Sequence, residues 1–263
     1  MRTIFKYEFR NYFRARRFYV LLAIDLLISA LLTTVVGYYR PSIFLSSNLT
    51  FYSGWWGQFV TFVIILAGVF FGGDAISGEF QNKTGYFIIP NPIRRSSIYV
   101  GKWMAAYAAS AITVGLFALG AVINGVFYFG ASVPSQLWVS ILFALLYLAA
   151  VMGFTFFFSS LFKTSSISIL VTVILFLFVF SLVQTLVATL VGIEPWFILT
   201  YGGEIVGNIL QVPYPVTNTI PGPGRFSLTT FAVSVPVGLA IISIYFFLTA
   251  AAGLFLFERK EFT

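Results

Sequence analysis

The chain has 263 residues, 59% of them apolar and only 9% charged, with a net charge of +7. A soluble domain carries about 25% charged residues, so this composition cannot build a water-facing surface and the bilayer is its solvent. Cysteine and histidine are both absent, which excludes a disulfide framework, thiolate chemistry, a zinc hydrolase and a Ser-His-Asp hydrolase.

Residues 2–17 come first and form an element of their own. At 100° per residue Phe5, Phe9, Tyr12 and Phe13 gather on one arc, and Arg2, Lys6, Arg10, Arg14 and Arg17 on its neighbour. This predicts a basic, aromatic, amphipathic helix lying in the membrane interface. The alternative is a charged flank that orients the first span. The apolar run at 18–39 follows. It is too long for the core of a signal peptide and lacks a small-residue cleavage site, so it reads as a retained first span. Asp25 lies about seven residues into it, roughly 10 Å deep. A carboxylate at that depth is either a functional group or a structural one, paired or held neutral.

Further apolar runs fall at 56–73, 103–129, 137–158, 166–191 and 231–257. With the first they make six, each near the roughly 17–25 residues that cross the hydrocarbon as a helix. Continuous rather than alternating apolarity selects helices over a barrel. The fold expected is an all-α membrane protein, one transmembrane domain over 1–263. The second run is short, and its end is expected to continue past Asp74. Gly68 with Gly72 and Ala149 with Gly153 are small-x-x-x-small pairs suited to close helix approach, within one chain or between two. Asn124 and Gln184 are intramembrane polar residues expected to hydrogen-bond between helices.

The loops differ in character. Residues 40–55 hold the sequon Asn48-Leu49-Thr50. Residues 192–230 form a long loop with an apolar stretch from 196 to 210 that suits a short helix dipping into the bilayer. Pro213, Pro215, Pro221 and Pro223 forbid a regular helix over 211–224. Glu194 and Glu204 in this loop either gate or cap a pathway, or are solvated. Residues 74–102 are the most polar part of the interior sequence. They carry Asp74, Glu79, Lys83, the Thr84-Gly85 turn signal, an apolar patch at 87–89, Pro90 and Pro92, then Arg94, Arg95 and Lys102. A membrane anchor explains the arginines. It does not explain the acid, the apolar patch and the prolines together, which suit a contact surface.

Six spans put both termini on one side. That side holds thirteen of the Lys and Arg residues, against Arg40 and Arg225 on the other. The bias places both termini and residues 74–102 in the cytoplasm and residues 192–230 outside. It also accounts for the net charge as topology and attraction to anionic membrane lipid, without nucleic acid.

The run Asp74, Glu79, Lys83-Thr84-Gly85, Pro92, Arg94-Arg95 and Gly101-Lys102 resembles the cytoplasmic loop of type-2 ABC transporter permeases. Thr-Gly stands here where that family has Gly-Thr. The six spans, the N-terminal helix and the long loop before the last span match as well, so the resemblance covers the whole chain. It implies a cell-membrane, multi-pass permease subunit, working as a homodimer or with a closely related permease, most often in export. It also implies a separate ATP-binding subunit, docked through a coupling helix between the second and third spans. Asp74, Glu79, Lys83, Thr84, Gly85, Pro92, Arg94, Arg95 and Lys102 then form the ATPase-coupling interface. The chain has no G-x-x-x-x-G-K-[ST] phosphate loop, since Gly101-Lys102 runs into Trp103. ATP and Mg would therefore belong to the partner, with no cofactor bound by this chain. The competing reading is an ion-coupled carrier or channel, which needs a relay of buried acids where Asp25 stands alone. A membrane-embedded enzyme needs a catalytic cluster at one depth, and none is evident.

Overall fold

A computed structural model describes residues 2–83, 94–221 and 227–260. Within them lie six helices long and apolar enough to cross a membrane: span 1 (Arg16–Tyr39), span 2 (Asn48–Gln81), span 3 (Arg95–Phe129), span 4 (Ser135–Leu161), span 5 (Ser165–Val191) and span 6 (Val235–Arg259). An N-terminal helix (Arg2–Arg14) precedes them. The expected all-helical, six-span fold is present.

Span 2 is the most enclosed, with 67% of its apolar window buried, whereas spans 1, 5 and 6 have 22%, 17% and 17%. Spans 2, 3 and 4 therefore make the centre, and the other three leave apolar faces uncovered. Lipid tails are as apolar as leucine, so close packing rather than transfer from water must hold such helices together. Small residues supply it. A Cβ at Gly72 would lie 2.1 Å from the Thr155 hydroxyl of span 4, and one at Gly68 would lie 2.5 Å from Val151. One at Gly153 would meet Thr249 of span 6 at 2.8 Å. These glycines are used up inside the chain, which settles their packing as intramolecular.

Spans 2 and 3 both start about eight residues before the expected 56 and 103, at Asn48 and Arg95. Span 2 does continue past Asp74, but through a break at residues 73–76 followed by a new helical turn, Ser77–Gln81. A break orphans backbone N–H groups, and here span 4 accepts them: the Ser159 hydroxyl takes hydrogen bonds from the Ile76 and Ser77 amides at 2.9 and 3.0 Å. Span 3 starts at Arg95, well before the expected 103. Its polar first turns stay helical because their charges find partners, described below. At the far end Gly130 closes span 3 with φ +76°, a left-handed conformation that a side chain would strain.

The long loop holds two short helices, Leu199–Gly203 and Ile205–Asn208, rather than a single one. The loop then forms a two-stranded antiparallel hairpin, β1 (Asn218–Pro221) with β2 (Ser227–Thr230), Thr219 opposite Thr229. The prolines keep 211–217 out of helix, as expected, but the strands were not anticipated. The short helices are anchored deep in the bundle. Trp56 of span 2 donates to the Ser140 hydroxyl at 2.9 Å, which in turn donates to the Val206 carbonyl at 2.5 Å.

Candidate functional site

The N-terminal helix, the last turn of span 2, the first turns of span 3 and the C-terminal residues all meet at one end of the bundle. Lys102 of span 3 is only 5% exposed. A buried ammonium is tolerated only when paired and hydrogen-bonded. Lys102 has two partners: its Nζ lies 2.7 Å from Glu8 of the N-terminal helix and 2.7 Å from Glu79 of span 2. Beside it Arg17 of span 1 pairs with Asp74 of span 2 and donates to the Phe70 carbonyl at 3.2 Å. Among the described residues two cations thus face three carboxylates here.

Tyr12 locks the N-terminal helix onto the same place. It is buried, its hydroxyl donates to the Phe71 carbonyl at 3.1 Å, and the Arg17 guanidinium lies 5.6 Å from its ring centroid. Burial, reinforced by the Glu8 charge, pushes its hydroxyl above the ordinary tyrosine range. Phe5, Phe9, Phe13 and Phe18 continue as a chain of ring contacts along that helix into span 1, the first pair stacked, the second edge-on and the third tilted. The charged groups enclose a polar cleft of about 170 Å³, to which Asn11 and Asn82 also contribute.

The turn Ser77–Gln81 is the hub of this end. Ser77 bonds span 4 through Ser159, Glu79 bonds span 3 through Lys102, and Gln81 accepts from the Ser165 amide that opens span 5, at 2.7 Å. Phe80 lies under the Lys260 ammonium, 4.3 Å from its ring centroid. Lys260 also donates to the Ser160 and Phe162 carbonyls, both at 2.8 Å, where span 4 ends. Cations favour helix C-termini. Burial and the nearby Lys163 nevertheless push Lys260 down to about 8. Arg95 donates to the Glu258 and Lys260 carbonyls at 2.8 and 3.1 Å, closing the ring onto span 6.

The residues singled out in sequence thus divide. Asp74, Glu79 and Lys102 come together, but as intramolecular ion partners turned inward. Arg95 ties down the end of span 6. Lys83 and Arg94 are exposed, one after the hub turn with φ +56° and one at the N-cap of span 3. Thr84, Gly85 and Pro92 lie outside the described residues. Tyr12, Arg17 and Lys260 figure in the sequence only as charges or as part of a helix face, and Glu8 is not singled out there. The signal for Glu8 was present, since it is the sole acid before Asp25 in a strongly basic stretch.

The intramembrane polar residues divide too. Asp25 is 3% exposed, and neither carboxyl oxygen has a hydrogen-bond partner among the described residues. Asn124 donates to Gly120 of its own helix at 2.9 Å, so it does not bridge helices as expected. Gln184 does bridge. Its amide donates to Glu204 at 2.5 Å and accepts from Thr200 at 3.1 Å, joining span 5 to the long loop. Burial pushes Glu204 up to about 7 against the opposing pull of Gln184. Glu194 accepts from the Tyr201 hydroxyl at 2.7 Å, and burial with that bond raises the tyrosine's pKa. In the sequon, the Asn48 amide nitrogen, the atom a glycan would occupy, donates to the Ser132 carbonyl.

Among the described residues no three acidic, histidine or cysteine side chains cluster in a way that would hold a metal ion. A family model described as ABC-2 family transporter protein matches residues 2–262. No curated protein matches the chain.

Proposed function

The chain belongs to the ABC-2 transporter family and is a membrane permease subunit; we propose that it is an exporter driven by ATP hydrolysis on a separate subunit that docks at its polar end. In this reading the polar end is cytoplasmic, two copies form the working unit, and ATP and Mg stay on the partner. The observation that carries the reading is the hub turn Ser77–Gln81, which is bonded to spans 3, 4 and 5, while Asp74 at the preceding break is bonded to span 1. A partner pressing on residues 83–94 would move this turn. Its ion pairs would then pull on the other spans, because packed elements shift as units rather than deform.

This divides the coupling residues into two roles. Exposed Lys83 and Arg94, with Thr84, Gly85 and Pro92 between them in sequence, make the contact. Asp74, Glu79, Arg95 and Lys102 relay it inward. Glu194 and Glu204, fixed by Tyr201 and Gln184, hold the opposite end closed until span 5 moves. An ion-coupled carrier is the second reading, and what favours it is the unpartnered Asp25.

The test is ATPase activity that copurifies with the tagged chain from native membranes. Lys83→Glu with Arg94→Glu is expected to strip that activity away while the melting midpoint stays unchanged, since neither side chain is buried. Retention of the activity in the double variant would remove the docking assignment. If ATPase never accompanies the wild-type chain, the ion-coupled carrier replaces the ABC reading.

A further inference from the structure

A second groove, of about 560 Å³, opens where span 1 begins. That volume lies within the roughly 300–1,000 Å³ typical of ligand pockets. Its wall is apolar, made by Val69 and Phe70 of span 2 and Ile169 and Val173 of span 5, and its rim is charged, made by Arg16, Arg17 and Asp74. Arg17 and Asp74 neutralise each other. Arg16 is exposed and has no ion-pair partner among the described residues. The rim therefore carries one uncompensated positive charge at the edge of a membrane span, above an apolar wall that runs inward.

This polarity selects the ligand. A free guanidinium recognises phosphate with paired, charge-assisted hydrogen bonds, and basic pockets between membrane helices hold anionic headgroups. A zwitterionic headgroup brings a cation that Arg16 repels, and the one carboxylate at this rim, Asp74, is already paired with Arg17. We infer that the groove holds an anionic phospholipid, with its phosphate on Arg16 and one acyl chain along Phe70, Ile169 and Val173. The assignment does not depend on what the protein transports. A second copy is a poorer occupant, since two-fold pairing through this rim would bring unpaired Arg16 side chains toward each other.

The full chain, purified in detergent, is titrated with phosphatidylglycerol and separately with phosphatidylcholine. Bound lipid is read by native mass spectrometry and stability by the melting midpoint. Phosphatidylglycerol is expected to be retained and to raise the midpoint, and phosphatidylcholine to do neither. Arg16→Gln should weaken phosphatidylglycerol retention about fivefold, the loss expected for one interfacial arginine. Val173→Trp, which fills the groove, should abolish it. Arg2→Gln, exposed on the N-terminal helix, controls for general basicity and should change nothing. Equal retention of the two lipids by the wild type overturns the proposal, as does unchanged retention in Arg16→Gln, an exposed substitution that leaves the core intact. If Val173→Trp instead splits dimers without affecting phosphatidylglycerol, a second copy covers the groove and the proposal fails.

Discussion

The two ends of the bundle handle their carboxyl groups in opposite ways. At the polar end Glu8, Asp74 and Glu79 each face a cation, and every pair joins two different helices. At the other end Glu194 and Glu204 face neutral donors, the Tyr201 hydroxyl and the Gln184 amide. Paired opposite charges resist separation, which suits a place where force enters. A carboxyl satisfied by an amide can exist charged or neutral at little difference in energy, which suits a closure that must open.

The comparison is broken most severely at Lys102. Lys102→Met removes the buried ammonium that Glu8 and Glu79 share. Removing one partner of a buried pair costs about 3–5 kcal/mol, and thermal melting in detergent should show a loss of that size. Adding Glu8→Gln and Glu79→Gln should recover much of it, because the penalty lies in the stranded charges. A triple variant no more stable than Lys102→Met would mean that packing, not charge, holds this corner.

At the opposite end the matching probe is pH. The Glu204 carboxyl is raised from 4.5 to about 7 by burial. A raised acid binds its proton more tightly folded than unfolded. Its full contribution is present below the unfolded value and is lost as pH climbs from about 4.5 to 7. The expected fall is on the order of 2–3 kcal/mol over that window. Glu204→Gln keeps a polar group of the same shape without the proton, so it should flatten the slope and exceed the wild type in stability above pH 7. A Glu204→Gln variant that keeps the wild-type slope would erase the distinction between the two ends.

The six spans were readable because continuous apolar runs of this length have few other uses. The ends of spans 2 and 3 were not, and Lys102 shows why. A lysine near a run of arginines reads as the edge of a loop. Glu79 of span 2 and Glu8, which is 94 residues away in sequence, together make it tolerable inside a helix packing face. The same limit applied to the site: Asp74, Glu79 and Lys102 were legible as charges, and their inward orientation was not. The hairpin was hidden by its prolines, which argue against helix without arguing for strand. Asn124 was misjudged because an amide in a helix can satisfy itself one turn back on its own backbone.

The smallest of these effects isolates the hub turn from the charges around it. Ser159 is a neutral residue at the polar end, and among the described residues its hydroxyl is the acceptor that joins the Ile76 and Ser77 amides to span 4. Ser159→Ala orphans both amides where water has little access, and losing a helix cap of this kind costs about 1–2 kcal/mol. The loss should be the same at pH 5 and pH 8, since nothing that titrates is removed. Hydrogen exchange at Ile76 and Ser77 should rise well beyond the global change, as local opening becomes easier than unfolding. If exchange rises uniformly instead, the break at residues 73–76 is held by its ion pairs alone. The hub would then transmit force through Glu79 and Asp74 without any direct grip on span 4.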